Sequence, residues 1–175
     1  MHKQLKYTLF LVLFLVITSC NISTKPHFVL SDNSPKVVIM LSPECPLCLN
    51  YTKDITDFII DYNDDIHFYG IVAGSHYSTL EVDSFLNSYS LPLDIIYDPD
   101  FNLTSQLNAT ITPEVFLIDE HNKILYQGLF DNWLGELGRR RQVITEHYLK
   151  DAIESYLVGS TIEIPNTKAI GCFIE

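Results

Sequence analysis

Residues 37–48 read VVIMLSPECPLC and join a short apolar run to two cysteines that are separated by two residues. The run from Val37 to Leu41 is continuous and rich in β-branched side chains, a pattern that predicts a strand buried on both faces. Beyond Cys48, apolar and aromatic side chains recur at helical spacing, at Ile55, Phe58, Ile59 and Tyr62. The sequence therefore predicts a buried strand that leads through the Cys-Pro-Leu-Cys segment into a helix.

The remaining chain alternates between strand-like and helix-like segments. Further strands are predicted at residues 66–73, 93–97, 114–119 and 123–129. Further helices are predicted at residues 78–89, 101–107 and 145–157. Ser78 and Thr145 are the candidate N-caps for two of these helices. The order β-α-β-α-β-α-β-β-α predicts an α/β fold in which helices flank a mixed central sheet.

Length and composition limit what the chain can be. Its 175 residues suit one globular domain, and 47% hydrophobic residues against 19% charged residues allow a buried core. Eleven Lys and Arg face 22 Asp and Glu, which gives a formal net charge of −11. A chain of that sign repels phosphate backbones, so nucleic-acid binding is excluded as a function class.

The N-terminus has the features of an export signal. Lys3 and Lys6 precede the apolar run LFLVLFLVI at residues 9–17, which is shorter than the ~20 residues that a transmembrane helix needs. The residues Ile-Thr-Ser-Cys at 17–20 resemble a bacterial lipobox, which implies a lipid anchor on Cys20. An ordinary signal peptide that ends near a cysteine is the alternative. We expect a protein of the bacterial cell envelope, anchored to a membrane and facing the periplasm or exterior.

These features divide the chain into four segments. The expected segments are a lipoprotein signal peptide at 1–19, a lipidated tether at 20–34, the folded domain at 35–160 and a C-terminal tail with Cys172 at 161–175.

The two cysteines at the predicted helix start favour thiol chemistry. Cys45 would lie where unpaired backbone N–H groups and the helix dipole favour a thiolate, which lowers the pKa of such cysteines to roughly 3.5–7.5. Cys48 follows one turn later, close enough to attack a mixed disulfide on Cys45. Pro46 suits the first helical turn because it has no N–H to lose, and Leu47 adds no charge.

Three other uses of the cysteine pair are chemically conceivable. A structural zinc site would need a second ligand pair at suitable spacing, which the sequence lacks. A static disulfide is chemically possible, although so short a loop gives little entropic stabilisation. Copper could be held by Cys45, Cys48 and either a histidine or Cys172.

Thr112 and Pro113 stand directly before the strand EVFLID. Proline is tolerated at the first residue of a strand, and X-Pro is the bond that readily adopts the cis form. With a cis bond, the backbone of Thr112 would face the cysteines and pair with an extended substrate strand. The sequence therefore predicts a cis bond here and a substrate-binding site formed by Thr112 and Pro113 together with Pro46 and Leu47.

The CPLC segment at a helix start and TPEVFLID at residues 112–119 resemble the thioredoxin-fold redoxins. This group includes thiol-disulfide oxidoreductases and the alkyl hydroperoxide reductase/thiol-specific antioxidant proteins. Redoxin-domain proteins with an Asp-Asn pair after the hairpin and a Gly-Cys near the end are more similar still; here these pairs are 131–132 and 171–172. The resemblance implies a thioredoxin-like fold in which Cys45 attacks, Cys48 resolves and Pro113 is the cis-proline.

Departures from the family patterns limit the expected activity. Ile39 stands where thioredoxin has a buried Asp, so that proton shuttle is missing. Ser42 fits the hydroxyl position of the peroxiredoxin motif, but Val38 stands where that motif has Pro. Thiol peroxidase activity is therefore the weaker alternative, and a copper-binding module is another.

Cys172 is followed by only three residues and has two interpretations. It is either a structural or loose thiol, or a third redox thiol that covers or resolves Cys45. Together these observations predict a monomeric extracytoplasmic thiol-disulfide oxidoreductase. Its expected partners are protein disulfides or dithiols and, through lipid on Cys20, a membrane; no cofactor or metal is expected.

Overall fold

The computed structural model describes residues 33–136 and 139–175. Its main sheet contains five strands: β1 (Lys36–Leu41), β2 (His67–Ala73), β3 (Asp94–Asp98), β5 (Glu114–Ile118) and β6 (Ile124–Gly128). Their spatial order is β3-β2-β1-β5-β6. β1 and β3 are both parallel to β2, whereas β5 is antiparallel to β1 and β6. The predicted mixed central sheet is confirmed.

Four helices connect or follow these strands: α1 (Pro46–Tyr62), α2 (Thr79–Tyr89), α3 (Asn102–Leu107) and α4 (Tyr148–Leu157). They occur in the predicted chain order. None of them, within the ranges that the structure describes, has the length and apolarity needed to cross a bilayer.

The two predicted N-caps have different outcomes. Ser78 caps α2 and forms a capping box with Glu81, because each side chain bonds the other residue's backbone N–H. The prediction that Thr145 caps a helix from residue 145 is wrong, since α4 begins at Tyr148. The backbone N–H and the hydroxyl of Thr145 instead contact the side-chain amide of Asn132, at 3.0 and 2.8 Å.

Successive side chains along a strand point to opposite faces of the sheet, so the core forms two clusters, one on each face. One face carries a larger cluster in which Val37, Ile39 and Leu41 of β1 pack with α1, α2 and α4. The other face carries Val38 and Met40, which pack in a smaller cluster with side chains of β2, β5 and α3. Both cysteines of the CPLC segment belong to the larger cluster. β1 is therefore buried on both faces, as its sequence predicts.

Four short strands were not predicted from the sequence. β4 (Ile111–Thr112) pairs antiparallel with β9 (Cys172–Phe173), and β7 (Leu134–Glu136) pairs antiparallel with β8 (Arg139–Arg140). The β4–β9 pair brings the C-terminal tail against the segment that precedes Pro113. The predicted signal peptide and residues 20–32 of the predicted tether lie outside the described residues.

Candidate active site

Cys45 lies at the N-terminus of α1, where sequence reasoning expects it. It is the N-cap residue, with extended backbone angles, and Pro46 is the first helical residue. The Cys45 carbonyl accepts the first helical hydrogen bond from the Leu49 N–H at 3.1 Å. Cys45 is therefore placed at the helix end whose unpaired backbone N–H groups favour negative charge, and its side chain makes no capping hydrogen bond in the disulfide-bonded form. Only 3% of Cys45 is exposed.

Cys48 lies one turn into α1 and is a fully buried free thiol. Burial raises the pKa of Cys48 to about 12, and hydrogen bonding at the Ser42 backbone offsets only part of that shift. Ile39, which stands at the position of thioredoxin's buried Asp, packs in the same apolar cluster as both cysteines. Cys48 is therefore a neutral thiol at physiological pH, in apolar surroundings.

The segment before β5 faces Cys45. The Thr112–Pro113 bond is cis, as predicted. The Thr112 carbonyl oxygen lies 3.2 Å from the Cys45 sulfur. The expected juxtaposition of Cys45 with the backbone before the proline is thus present. Of the other residues assigned to substrate binding, Pro46 is exposed beside Cys45, and Leu47 is half-buried against the core.

Cys45 is bonded to Cys172, with the two Cα atoms 6.1 Å apart and 127 residues between them in sequence. The sequence predicts that Cys45 and Cys48 form the redox pair, and it leaves the role of Cys172 open. The structure joins Cys45 to the tail instead because β9 runs beside β4 and places Cys172 opposite Thr112. This pairing favours the interpretation of Cys172 as a thiol that covers Cys45.

A polar group that the sequence did not reveal borders the cysteines. The hydroxyls of Ser42 and Tyr77 are 3.0 Å apart, and the Tyr77 hydroxyl donates a longer bond of 3.5 Å to Glu44. These side chains line one side of a cavity of about 170 Å³, and tail residues 173–175 line another. Tyr77 lies in the loop before α2, and no motif in the sequence signals its position.

A second layer of contacts holds α1 in place. The Tyr51 hydroxyl donates to Asp131 at 2.8 Å, and the same carboxylate oxygen accepts the Trp133 backbone N–H at 2.8 Å. The Tyr51 ring stacks on Phe130 with centroids 5.0 Å apart. Burial, together with the Asp131 charge, raises the pKa of the Tyr51 hydroxyl. Asp131, the first residue of the Asp-Asn pair noted in the sequence, therefore anchors the helix that carries both cysteines.

The structure bears on the two alternative activities. Val38, at the position of the peroxiredoxin proline, packs in the cluster on the opposite face of the sheet from Cys45. No group of three or more His, Cys, Asp or Glu side chains in residues 33–136 and 139–175 is arranged to hold a metal ion. Neither the peroxidase nor the copper alternative gains support from these side chains.

Comparison with solved structures supports the fold. A hypothetical protein from Sinorhizobium meliloti 1021 is 21% identical, with a TM-score of 0.71 over 82% of this chain and 80% of that one. An uncharacterised conserved protein from Geobacillus kaustophilus is 19% identical, with a TM-score of 0.71 over 82% and 78%. The thioredoxin domain of a thiol-disulfide oxidoreductase from Bacteroides vulgatus is 14% identical, with a TM-score of 0.50 over 56% and 71%. The expected thioredoxin-like fold is confirmed.

Sequence comparison addresses the family. No curated protein sequence matches the chain significantly. The Redoxin family model matches residues 24–134, a range that contains the CPLC segment, the cis-proline and all five strands of the central sheet. The chain belongs to the redoxin family.

Proposed function

We propose that this protein is a thiol-disulfide oxidoreductase that exchanges disulfides with partner proteins through Cys45 and Cys48. The observation that carries the proposal is the position of the Cys45 sulfur, at the N-terminus of α1 and 3.2 Å from the Thr112 carbonyl. Membership in the redoxin family and the likeness to a thioredoxin domain support a redox role.

The exchange proceeds in two balanced steps. The Cys45 thiolate attacks a partner disulfide, forms a mixed disulfide and releases one partner sulfur as a thiolate. Cys48 then attacks the Cys45 sulfur, forms the Cys45–Cys48 disulfide and releases the second partner thiolate. The partner gains two electrons and this protein loses them; the same steps in reverse oxidise a partner dithiol.

The two cysteines have different roles and different protonation states in the two steps. Cys45 reacts first because a thiolate is favoured at the helix N-terminus. Cys48 is a buried neutral thiol, so its proton must leave as it attacks. The departing partner thiolate is the natural acceptor for that proton, because apolar Ile39 replaces the carboxylate that thioredoxin places beneath its cysteines.

Insulin reduction by dithiothreitol tests this function with three Cys→Ser variants of the full chain. We expect Cys45→Ser to show only the uncatalysed rate, since the attacking thiol is gone. The double variant Cys48→Ser/Cys172→Ser should lose most of the turnover, because it leaves no second thiol in the folded domain to resolve the mixed disulfide on Cys45. Cys20→Ser is the matched control and should retain the wild-type rate. Undiminished insulin reduction by Cys45→Ser would overturn the proposal.

We also propose that the protein works outside the cytosol, held to a membrane by lipid on Cys20. The lipobox-like residues 17–20 and the preceding apolar run support this location. In a bacterial host, metabolic labelling with a fatty acid should tag the wild type and not Cys20→Ser, which should also lose membrane association. Equal labelling of the two proteins would contradict the anchor.

A further inference from the structure

The C-terminal tail is held on the domain by backbone contacts that begin well before Cys172. The Gln127 N–H donates to the Pro165 carbonyl at 3.1 Å, and the Thr167 N–H donates to the Gln127 carbonyl at 2.9 Å. The Thr167 hydroxyl accepts the Leu129 N–H at 2.8 Å. At Gly128, a Cβ would lie 2.2 Å from that hydroxyl, so the tail approaches β6 as closely as a glycine allows.

The end of the tail continues as a strand on the edge that faces Cys45. Thr112 pairs with Cys172 and Ile111 with Phe173 in antiparallel register. The Ile174 N–H extends the pairing by donating to the Thr110 carbonyl at 3.0 Å. This is how an extended peptide adds to an exposed sheet edge, with backbone bonds giving affinity.

Gly171 lets the tail come this close. A Cβ at Gly171 would lie 2.1 Å from the Thr112 carbonyl oxygen and 2.7 Å from a methyl carbon of Ile111. No side chain fits there without moving the tail or β4. The tail therefore has three properties of a bound substrate segment: antiparallel pairing to β4, a disulfide to Cys45 and a backbone that touches Thr112.

We propose that residues 171–174 are an internal substrate strand, in which Cys172 holds the place of a partner's cysteine. A protein partner then reaches Cys45 only when an extended segment of its own displaces this strand. The inference rests on the proposed function, and it names the partner class: a cysteine in an extended segment, with glycine directly before it.

Cys48 provides the chemical route for release of the tail. Its sulfur attacks Cys45, the Cys45–Cys48 bond forms, and the Cys45–Cys172 bond breaks. Cys172 leaves as a thiolate and takes up the proton that Cys48 gives up. The exchange needs no external oxidant or reductant, since one disulfide and one thiol are present before and after it. The oxidised protein thus has a closed form (Cys45–Cys172) and an open form (Cys45–Cys48).

Disulfide mapping of the oxidised full chain tests the proposed internal substrate strand, and its readout is independent of catalytic activity. Free thiols are alkylated under acid quench, and the disulfide-linked peptides are identified by mass spectrometry. We expect wild type to carry mainly Cys45–Cys172. Gly171→Ala keeps every cysteine but pushes the tail from Thr112, so Cys45–Cys48 should predominate and Cys172 should be alkylated. Gly135→Ala is the matched control, because the nearest heavy atom to its new Cβ would be the Arg141 Nε at 3.6 Å, an ordinary van der Waals contact.

The mapping has clear contrary outcomes. Mainly Cys45–Cys48 in the wild type, or an unchanged Cys45–Cys172 fraction in Gly171→Ala, would overturn the inference. Either result would leave the proposed function standing, because insulin reduction by Cys45 and Cys48 is measured separately.

Mixed-disulfide formation tests the partner class. The Cys48→Ser/Cys172→Ser variant, which traps what Cys45 captures, is offered activated disulfides of two peptides. One is AIGCFI, the sequence of residues 169–174, and the other has Val in place of the Gly. We expect AIGCFI to react about tenfold faster, because the Val side chain would disturb the backbone pairing to β4. Equal rates would overturn the assignment of partner class.

Discussion

Position on α1 gives two buried cysteines that lie one helical turn apart different chemical characters. Cys45 is the N-cap residue of α1, where the helix end favours negative charge, whereas Cys48 lies inside the helix and the core, and burial raises its pKa to about 12. At pH 8 a much smaller fraction of Cys48 is therefore thiolate than of an exposed cysteine.

This difference predicts slow alkylation of Cys48 in the native oxidised protein. At pH 8, iodoacetamide should modify Cys48 at least about a thousandfold more slowly than it does in urea, because both burial and protonation protect the sulfur. The native rate should rise about tenfold per pH unit up to the raised pKa. The measurement is mass-spectrometric labelling at Cys48 against time. Native and urea rates within tenfold of each other would contradict the assigned environment.

Individual site residues differ in how far the sequence reveals them. Cys45 and Cys48 are revealed by a strand-to-helix junction, and Pro113 by an X-Pro bond before a strand. Both patterns depend only on neighbouring residues. Tyr77 approaches Ser42 from a distant loop, and Gly171 is constrained by Ile111 and Thr112, which are 60 and 59 residues away in sequence. Such contacts depend on how elements pack, so no short stretch of sequence contains them.

Among the elements, α1 depends on its attachment to the loop after β6. The Tyr51 hydroxyl donates to the Asp131 carboxylate in the interior, whereas Tyr62, on the same helix, donates to Glu154 at 3.2 Å on the surface. Buried hydrogen bonds to charged groups contribute more to stability than exposed ones.

The two tyrosines therefore provide a matched pair of substitutions. Tyr51→Phe should lower the free energy of unfolding by about 1.5–3 kcal/mol, since it leaves the Asp131 carboxylate without one of its donors. Tyr62→Phe should change it by less than about 0.5 kcal/mol. Urea denaturation of the oxidised proteins measures both. Equal effects of the two substitutions would show that Asp131 does not anchor α1.

Element-level prediction succeeds where a pattern repeats along the chain. The five main strands and the four helices of the described residues follow from apolar, β-branched runs, helical spacing and caps such as Ser78. The start of α4 is missed because Asn132 engages Thr145, a tertiary contact that competes with helix capping. β4 and β9 are missed because strands of two residues carry no periodicity and exist only as partners of each other.

For the whole molecule, the Cys45–Cys172 bond ties the C-terminus back to the start of α1. It closes a loop across 127 residues of sequence, which in the chain-entropy description stabilises the fold by about 5 kcal/mol. A Cys45–Cys48 bond closes a loop of only four residues and gives about 2 kcal/mol in the same description. The closed form should thus have the larger free energy of unfolding of the two oxidised forms.

Two variants isolate these forms for measurement. Cys48→Ser can form only Cys45–Cys172 within the folded domain, and Cys172→Ser can form only Cys45–Cys48. We expect reduction to lower the free energy of unfolding by about 3 kcal/mol more in Cys48→Ser than in Cys172→Ser. Urea denaturation of each variant, oxidised and reduced, gives the comparison. An equal loss in both variants would mean that the tail bond adds no stability beyond that of the short loop.

The central claim is that the Cys45 sulfur is the nucleophile because the start of α1 favours its thiolate. The most direct test is competition for a limiting amount of iodoacetamide in the fully reduced full chain at pH 6, with the labelled cysteine identified by mass spectrometry. Cys172, near the chain end, serves as the internal reference for an ordinary thiol, and Cys48 for a buried one. We predict that Cys45 takes most of the label; faster labelling of Cys172 or Cys48 than of Cys45 would contradict the account.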